Sequence, residues 1–309
     1  MRDAFVQALT ELAAEDPSLV LVTGDLGFGV LSDFAARYPD SYLNAGVAEQ
    51  NMTAVACGMA MAGAHAYTYS IGNFPTLRCL EQLRNDVCHH RADVAVVAVG
   101  GGFSYGQLGM SHFATEDLAI LRALPEMTVV APSDPWQAHA LTRQLHARGG
   151  PRYLRLDKSS AGIPQGPVTL GKAREVRSGS DAVIFAIGGI LREAVAAAEI
   201  LAGQGASIRV VDVHTLKPLD AEAICEAAAA CRVVLTLEEH TVIGGLGGAV
   251  AEACMTGAVK VDRFVRLGLE DRHPDVVGDQ AYLRALHGLD RQGVAATLRK
   301  MLELRCPSV

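Results

Sequence analysis

The sequence has 309 residues, of which half are hydrophobic and a fifth are charged, and its formal net charge is -7. This length predicts two domains, each with its own core, and the acidic balance excludes a nucleic-acid-binding protein, because neutralising phosphate requires clustered Lys and Arg. No apolar segment matches a signal peptide or a membrane span of about 18 residues, so we expect a cytoplasmic protein that contacts neither nucleic acid nor membrane.

Apolar runs of strand length alternate with segments of helical period through the first half of the chain. Near-continuous Val, Ala and Ile runs are typical of parallel strands that are covered on both faces by helices. A proline in the first turn, after an N-cap Asp, indicates where one helix begins. We predict strands at 19–23, 66–71, 93–100, 128–131 and 152–156, and helices at 48–64, at 75–90 and from Pro135 onwards.

Periodicity is lost between residues 159 and 180, where turn residues accumulate, and this predicts a domain boundary. A second alternating series follows, with strands at 181–187, 207–213, 232–237 and 263–268 and a last helix at 290–304. The predicted fold class is therefore α/β, with two three-layer α/β/α domains built on mainly parallel sheets. We place the first domain at 1–165 and the second at 175–309.

The cysteines and the possible metal ligands give no strong pattern. There are seven cysteines and no C-x-x-C pair, so neither a zinc ribbon nor a redox motif is supported, and we expect structural thiols in a reducing compartment. His112 is followed by Glu116 and Asp117 without the spacing of a known ligand set. We therefore predict no metal site in this chain.

Three loops that follow predicted strands are candidates for chemistry, since open parallel sheets bind ligands at the carboxyl ends of their strands. They are residues 24–29 (Gly-Asp-Leu-Gly-Phe-Gly), residues 44–51 (Asn-Ala-Gly-Val-Ala-Glu-Gln-Asn) and the glycine-rich residues 100–112. Glu49 falls in the first turn of a predicted helix, so on spacing alone it is either a functional carboxylate or a residue that caps the helix.

A fourth glycine-rich segment, residues 244–248 (Gly-Gly-Leu-Gly-Gly), follows a predicted strand and opens a helix. It lacks the G-x-G-x-x-G spacing of a dinucleotide-binding loop, and it does not follow the first strand of its domain. We interpret it as a tight turn into a helix.

Five motifs in order give the chain a resemblance to a known family. They are residues 23–26 (Thr-Gly-Asp-Leu), 46–52 (Gly-Val-Ala-Glu-Gln-Asn-Met), 109–112 (Gly-Met-Ser-His), 131–134 (Ala-Pro-Ser-Asp) and 238–247 (Glu-Glu-His-Thr-Val-Ile-Gly-Gly-Leu-Gly). The chain resembles the C-terminal half of transketolases, that is, the pyrimidine-binding domain followed by the third domain. The resemblance extends over essentially the whole chain.

The resemblance implies that the chain contributes to a thiamine diphosphate site. Glu49 matches the catalytic carboxyl group that hydrogen-bonds the aminopyrimidine nitrogen N1′, and such a group needs apolar surroundings to keep its proton. Phe74 matches the first aromatic residue of the aminopyrimidine pocket, and Tyr69 and Leu77 belong to the same predicted cofactor-binding set. Asp25 matches the acid near the thiazolium ring and the subunit interface.

The resemblance also implies two substrate residues. His112 matches a catalytic histidine that can donate to a developing alkoxide, and Arg155 matches an arginine that binds a sugar phosphate. Three departures from the family pattern are Leu77 and Leu80 in place of later aromatic residues, Gly100 in place of a histidine, and Leu108 in place of an acid. These departures argue against ordinary pentose phosphates as substrates.

No Gly-Asp-Gly motif, which holds the cofactor diphosphate through Mg²⁺ in this family, occurs in the sequence. We therefore expect the smaller subunit of a split transketolase, in an α2β2 assembly with a separate diphosphate-binding subunit that supplies the Mg²⁺ ligands. The expected reaction transfers a two-carbon ketol unit from a ketose phosphate to an aldose. The alternatives are the β subunit of a 2-oxo acid dehydrogenase or decarboxylase, a 1-deoxyxylulose-phosphate-synthase-like carboligase, and a non-catalytic binding protein.

Overall fold

The computed structural model describes residues 1–303. The α-helices are α1 (Arg2–Glu15), α2 (Ser32–Arg37), α3 (Glu49–Met61), α4 (Leu80–Gln82), α5 (Asp117–Ala123), α6 (Pro135–Arg148), α7 (Leu191–Ala202), α8 (Ala221–Ala229), α9 (Leu246–Thr256), α10 (Gln280–Leu286) and α11 (Arg291–Leu302). The strands are β1 (Leu19–Thr23), β2 (Tyr42–Asn44), β3 (His65–Ile71), β4 (Val94–Val99), β5 (Thr128–Val130), β6 (Arg152–Leu156), β7 (Arg174–Arg177), β8 (Ala182–Ala186), β9 (Ile208–Asp212), β10 (Thr215–Lys217), β11 (Val233–Thr241) and β12 (Arg263–Leu269).

The first sheet has the strand order β10-β5-β6-β4-β3-β1-β2, and all of its pairs are parallel except β10 with β5. The central strands are buried on both faces, whereas the edge strand β2 is largely exposed. Phe5 of α1 and Leu141 of α6 pack on one face, whereas Met52 of α3 and Leu118 of α5 pack on the other. Helices therefore cover the sheet on both sides, as the continuous apolar runs predicted.

The second sheet has the order β12-β11-β8-β9-β7, and only the β7–β9 pair is antiparallel. Helices α7 and α11 cover one face through Leu191 and Leu298, and helices α8 and α9 cover the other through Ile224 and Val250. The predicted fold class, two α/β domains with mainly parallel sheets, is confirmed.

The two halves of the chain are not separate in the sheets. Strand β10, from the second half, pairs antiparallel with β5 and forms an edge of the first sheet, with Thr215 opposite Val130. One apolar core also runs from α3 and α5 to α8 and α9. The domain limits at 165 and 175 stay a prediction. Strand β10 belongs by its position in the sequence to the second predicted domain, but it pairs within the first sheet.

Most predicted strands lie within one or two residues of the observed ones, while β11 extends to Thr241. Three strands were not predicted, namely β2, β7 and β10, which are short and lie at or beside sheet edges. The predicted helix at 75–90 is a composite: a 3₁₀ turn at Leu77–Cys79, the α4 turn, and a π-type segment at Leu83–Cys88. The last helix ends at Leu302, and the predicted end at Leu304 lies outside the described residues, as does Cys306.

Two further observations concern the described residues. Six cysteines are free thiols, at positions 57, 79, 88, 225, 231 and 254. Within residues 1–303, every helix is too short or too polar to cross a bilayer.

Candidate active site

Four loops meet at the carboxyl edge of the first sheet. Asp25 follows β1, Glu49 opens the helix after β2, Phe74 follows β3, and His112 lies in the glycine-rich loop after β4. Because β1 to β4 are parallel, their carboxyl ends share one edge. The sheet thereby brings together residues that are far apart in the sequence.

Glu49 is the first residue of α3, and its side chain is buried. Its Oε2 lies 2.7 Å from Nη1 of Arg78, with which it forms an ion pair. A Cβ on Gly24 would lie 3.2 Å from Glu49 Cγ, so only glycine lets the loop after β1 come this close to the carboxylate. The Glu49 side chain is therefore directed at Arg78 and not at the free N–H groups of its own helix.

Phe74 joins the same cluster through its ring. The Arg78 guanidinium lies over the ring, 4.5 Å from its centroid, and the His112 ring contacts it edge-on at 5.3 Å between centroids. We call Glu49, Phe74, Arg78 and His112 the carboxyl-edge cluster. It combines a buried carboxylate, a flat apolar surface and an imidazole in one place.

His112 is half-buried and is held by its neighbours. Its Nδ1 lies 3.0 Å from the Ser111 hydroxyl, and the Asn73 side chain donates to the Ser111 carbonyl at 3.3 Å. The loop after β4 is thus tied to the loop after β3. This tie positions the imidazole beside Phe74.

Asp25 is held by Asn44, the last residue of β2. The Asn44 amide donates to Asp25 Oδ1 at 2.9 Å, and its Oδ1 accepts the backbone N–H of Asp25 at 3.0 Å. Asp25 has a φ of 57°, in the left-handed region that side chains other than Asn and Asp rarely adopt. The Asn44 amide stabilises this conformation, and the carboxylate stays partly exposed at the edge.

The two remaining predicted cofactor residues are placed differently. Leu77 is 37% exposed, immediately before Arg78, and it remains available to a ligand. Tyr69 is buried in the core below α1, where its ring stacks on Phe5 at 6.1 Å. Burial raises the pKa of the Tyr69 hydroxyl. The structure therefore assigns Tyr69 to the packing of α1 on the sheet and not to a cofactor surface.

Arg155 also has a different environment from the one predicted. It is 4% exposed, forms an ion pair with Asp117 at 3.0 Å, and donates to the carbonyls of Ala114 and Glu239 at 2.7 and 2.9 Å. These contacts engage the guanidinium inside the protein. The burial of Arg155 and these contacts argue against a role as a ligand of a sugar phosphate, which stays a prediction.

The two acids of the motif at 238–247, Glu238 and Glu239, both have structural roles. Glu238 accepts the backbone N–H groups of Leu246 and Gly247 at 2.7 and 2.8 Å, at the first turn of α9. A carboxylate thus occupies the position that a dinucleotide phosphate would take. This confirms the interpretation of residues 244–248 as a tight turn into a helix.

Glu239 joins the second half of the chain to the glycine-rich loop. It accepts the Phe103 backbone N–H at 2.5 Å and the Gln280 amide at 2.8 Å, and it pairs with Arg284 of α10. A Cβ on Gly102 would lie 2.6 Å from Glu239 Cγ. The glycine-rich loop is therefore shaped by this carboxylate, which lies on the second sheet.

Comparison with known proteins identifies the family. Residues 1–163 match the model of the transketolase pyrimidine-binding domain, and residues 171–294 match that of the transketolase C-terminal domain. The chain belongs to the transketolase family. Membership implies dependence on thiamine diphosphate.

Among transketolase-family proteins, the 6-deoxy-6-sulfo-D-fructose transketolase subunit SqwH of a Clostridium species is 36% identical, over 98% of this chain and 94% of that protein. The 1-deoxy-D-xylulose-5-phosphate synthase of Syntrophotalea carbinolica is also 36% identical, over 96% of this chain but 47% of that longer protein. A solved structure is described as a split-gene transketolase, inactive beta4 tetramer, and its sequence is 34% identical to this one. The two superpose with a TM-score of 0.86 over 99% of this chain and 98% of the other chain.

The carboxyl-edge cluster of this transketolase-family chain fits a thiamine aminopyrimidine. That ring is flat, needs a carboxyl partner at one nitrogen and packs on an apolar face. The Arg78 guanidinium is also flat, and it already makes both kinds of contact, to Glu49 and to Phe74. The cluster therefore offers the surface and the partner that the cofactor requires.

Sequence reasoning missed Arg78 and Asn44. Arg78 lies in the segment predicted as a helix at 75–90, but Phe74 precedes that segment, so helical spacing did not pair the two residues. No signal indicated Asn44 either, because its partner Asp25 is on another strand end and the strand β2 was not predicted.

Proposed function

We propose that the chain is the C-terminal, pyrimidine-binding subunit of a split transketolase. In this proposal it transfers a two-carbon ketol unit from a ketose phosphate to an aldose acceptor, with thiamine diphosphate as cofactor. The observation that carries the proposal is that the buried Glu49 carboxylate and the Phe74 ring both contact the Arg78 guanidinium, while the His112 ring packs edge-on against Phe74. This chemistry requires three groups in a pyrimidine-binding domain, namely an acid, a stacking surface and a proton donor.

When bound, thiamine diphosphate would supply a nucleophilic thiazolium carbon for attack on a ketose carbonyl. Glu49 would hold a proton at its carboxyl group against ring nitrogen N1′ and so orient the aminopyrimidine. Phe74 would orient the ring by stacking. His112 would donate a hydrogen bond where negative charge develops on the substrate oxygen, and Ser111 orients its imidazole.

Arg78 must leave its observed position for this to happen. Its guanidinium contacts both Glu49 and Phe74, so the aminopyrimidine and Arg78 compete for one place. The Arg78 side chain is 47% exposed and can turn outwards into solvent.

A partner subunit is the second part of the proposal. Relatives that this chain covers almost end to end are described as a transketolase subunit and as a split-gene transketolase, so we propose that another chain binds the diphosphate and Mg²⁺. At the carboxyl edge, loops expose large apolar side chains, with Phe28 and Val47 more than three-quarters exposed and Leu108 and Met110 about half exposed. Such a patch is typical of a surface that another protein covers. We infer an α2β2 assembly in which this edge faces the diphosphate-binding subunit.

The free thiols of the described cysteines support a reducing compartment, and we propose a cytoplasmic location on that ground.

The test compares Glu49→Gln with Glu81→Gln, a matched change at an exposed glutamate of α4. Each variant is combined with the diphosphate-binding subunit, and ketol transfer is followed with thiamine diphosphate and Mg²⁺ present. We expect Glu49→Gln to lower kcat by about 10²–10⁴-fold, because an amide cannot protonate N1′, while Glu81→Gln keeps full activity. Full activity of Glu49→Gln, or cofactor-dependent transfer by the isolated chain, contradicts the proposal.

A second candidate is a carboligase that condenses pyruvate with an aldehyde phosphate. The similarity to a 1-deoxy-D-xylulose-5-phosphate synthase supports it, at the same 36% identity as the similarity to the SqwH subunit, although the chain covers 47% of the synthase and 94% of SqwH. Release of carbon dioxide from pyruvate by the assembled complex would support this candidate. Release from a branched 2-oxo acid would instead indicate a 2-oxo acid dehydrogenase, and ketol transfer without carbon dioxide supports the split transketolase.

A further inference from the structure

A second cluster of titratable side chains lies at the amino edge of the first sheet, opposite the carboxyl-edge cluster. Asp16 follows α1 just before β1, His65 is the first residue of β3, and His146 lies in the last turn of α6. Three elements that are far apart in the sequence thus bring two imidazoles and one carboxylate together. No proposed catalytic residue takes part in this cluster.

The three side chains converge on one point. Asp16 Oδ2 lies 3.1 Å from His146 Nε2 and 3.7 Å from His65 Nε2, and each residue offers a ligand atom within 4.8 Å of the other two. A tetrahedral ion with bonds of about 2.0–2.1 Å keeps its ligand atoms about 3.3–3.4 Å apart. The two separations from Asp16 Oδ2 lie on either side of that value, and the two histidine nitrogens are within 4.8 Å of each other, so side-chain shifts would bring all three atoms around one ion.

The atoms that do not converge have other neighbours. Asp16 Oδ1 accepts the backbone N–H and the hydroxyl of Ser18 at 2.9 and 2.7 Å. His146 Nδ1 hydrogen-bonds the Tyr67 hydroxyl at 3.1 Å, and His65 Nδ1 lies 2.7 Å from Asp93 Oδ2. A hydroxyl or carboxylate at one ring nitrogen is the arrangement that orients a metal-binding histidine through its other nitrogen.

Electrostatics also suit a cation at this point. Two carboxylates, Asp16 and Asp93, lie within ion-pair distance of the imidazoles. Asp93 is engaged by the buried Arg152 as well as by His65, so the carboxylate of Asp16 is the one directed at the centre. All three converging side chains are partly exposed, which leaves room for water as a further ligand.

We propose that Asp16, His65 and His146 bind one divalent transition-metal ion, with Zn²⁺ as the best match. Two imidazole nitrogens and one carboxylate oxygen suit Zn²⁺, Co²⁺ or Ni²⁺, whereas Mg²⁺ and Ca²⁺ prefer oxygen ligands alone. The ion joins the end of α1, the start of β3 and the end of α6, and so stabilises the packing of these helices on the sheet. The site is structural and independent of the Mg²⁺ that the proposed partner would hold.

The test uses the full chain without an affinity tag, freed of metal and titrated with Zn²⁺ by calorimetry. We expect one ion per chain, and at least about 10-fold weaker binding in His146→Gln and in Asp16→Asn. The matched control is His139→Gln, on the same helix, whose Nε2 contacts Glu11 at 2.9 Å away from the cluster. His139→Gln should bind Zn²⁺ as the unaltered chain does.

Three results overturn the proposal. The first is that the unaltered chain binds no Zn²⁺, and the second is that His146→Gln and Asp16→Asn bind Zn²⁺ as tightly as the unaltered chain. The third is that binding is lost only when His89 and His90, two consecutive exposed histidines outside the cluster, are replaced. If the cluster variants fail to fold, the unaltered chain still decides the question. Zn²⁺ should then protect His65 and His146, but not His139, from modification by diethyl pyrocarbonate, as read by mass spectrometry. Equal modification of all three histidines with and without Zn²⁺ rejects the site.

Discussion

The Arg78 guanidinium forms an ion pair with the buried Glu49 carboxylate, with 2.7 Å between Nη1 and Oε2. Arg78 reaches the carboxylate from the composite helical segment that follows β3, while Glu49 begins the helix that follows β2. The pair therefore links two loops of the candidate active site. In the proposed function, the same contact has to open before the cofactor can bind.

Removing Arg78 should destabilise the isolated chain, because Glu49 then keeps a buried carboxylate without a partner. We expect Arg78→Ala to lower the free energy of unfolding by about 1–3 kcal/mol, measured by urea denaturation. The double variant with Glu49→Gln should recover most of this loss. The control is Arg84→Ala, an exposed arginine of the same segment. If the effects of Arg78→Ala and Glu49→Gln on the free energy of unfolding simply add in the double variant, the two side chains are not energetically coupled.

The exposed apolar loops at the carboxyl edge should control assembly. We expect Phe28→Glu combined with Val47→Glu to prevent association with the diphosphate-binding subunit, because burying two carboxylates in an apolar interface is costly. Sedimentation of the mixed subunits measures the result. Met255→Glu, at an equally exposed methionine of α9, is the control and should assemble normally. Normal assembly of the double variant would move the interface to another surface.

Arg155 should act on stability and not on substrate affinity. Arg155→Ala leaves the buried carboxylate of Asp117 without its partner, so we expect a loss of about 3–5 kcal/mol in the free energy of unfolding. In the assembled enzyme, the folded fraction should keep an unchanged KM for the sugar phosphate. A large rise in KM with unchanged stability would restore Arg155 as a substrate ligand.

His214 should make the chain sensitive to acid. Burial lowers its pKa to about 4, from about 6.5 when unfolded, so the unfolded chain takes up the proton first. The His214 contribution to stability is therefore complete above pH 6.5 and is lost as the pH falls towards 4. Burial raises the pKa of Asp212 to about 6, and that contribution has the opposite sign, being present below the unfolded value and lost as the pH rises through 6.

Substituting His214 alone separates its contribution to the pH dependence of stability from that of Asp212. We expect His214→Gln to remove about 3 kcal/mol from the fall in unfolding free energy between pH 6.5 and pH 4, as measured by urea denaturation across that range. The control is His89→Gln, at an exposed histidine directly after the π-type segment, and its slope is compared with that of His214→Gln. An identical slope for His214→Gln and the unaltered chain would mean that His214 is not the acid-sensitive group.

Much of the fold could be predicted, because continuous apolar runs identify buried parallel strands wherever they are long enough. The strands at 19–23 and 152–156 have the bounds expected from their patterns. Short strands escaped prediction: β10 has only three residues, and only pairing with β5 makes it a strand. Similarly, the segment at 75–90 has a helical pattern, but backbone hydrogen bonding divides it into three types of turn.

By itself, the sequence determined the fold class and the family, and it placed Phe74 and His112 after predicted parallel strands and Glu49 in the first turn of a helix, since these depend on local patterns and motif order. Only the tertiary structure decided what each side chain contacts. Arg155 has the spacing of a substrate ligand but is engaged by Asp117, and Tyr69 packs against Phe5. Burial and pairing depend on residues that lie far along the chain, so the spacing of motifs cannot reveal which charged side chains remain free to bind.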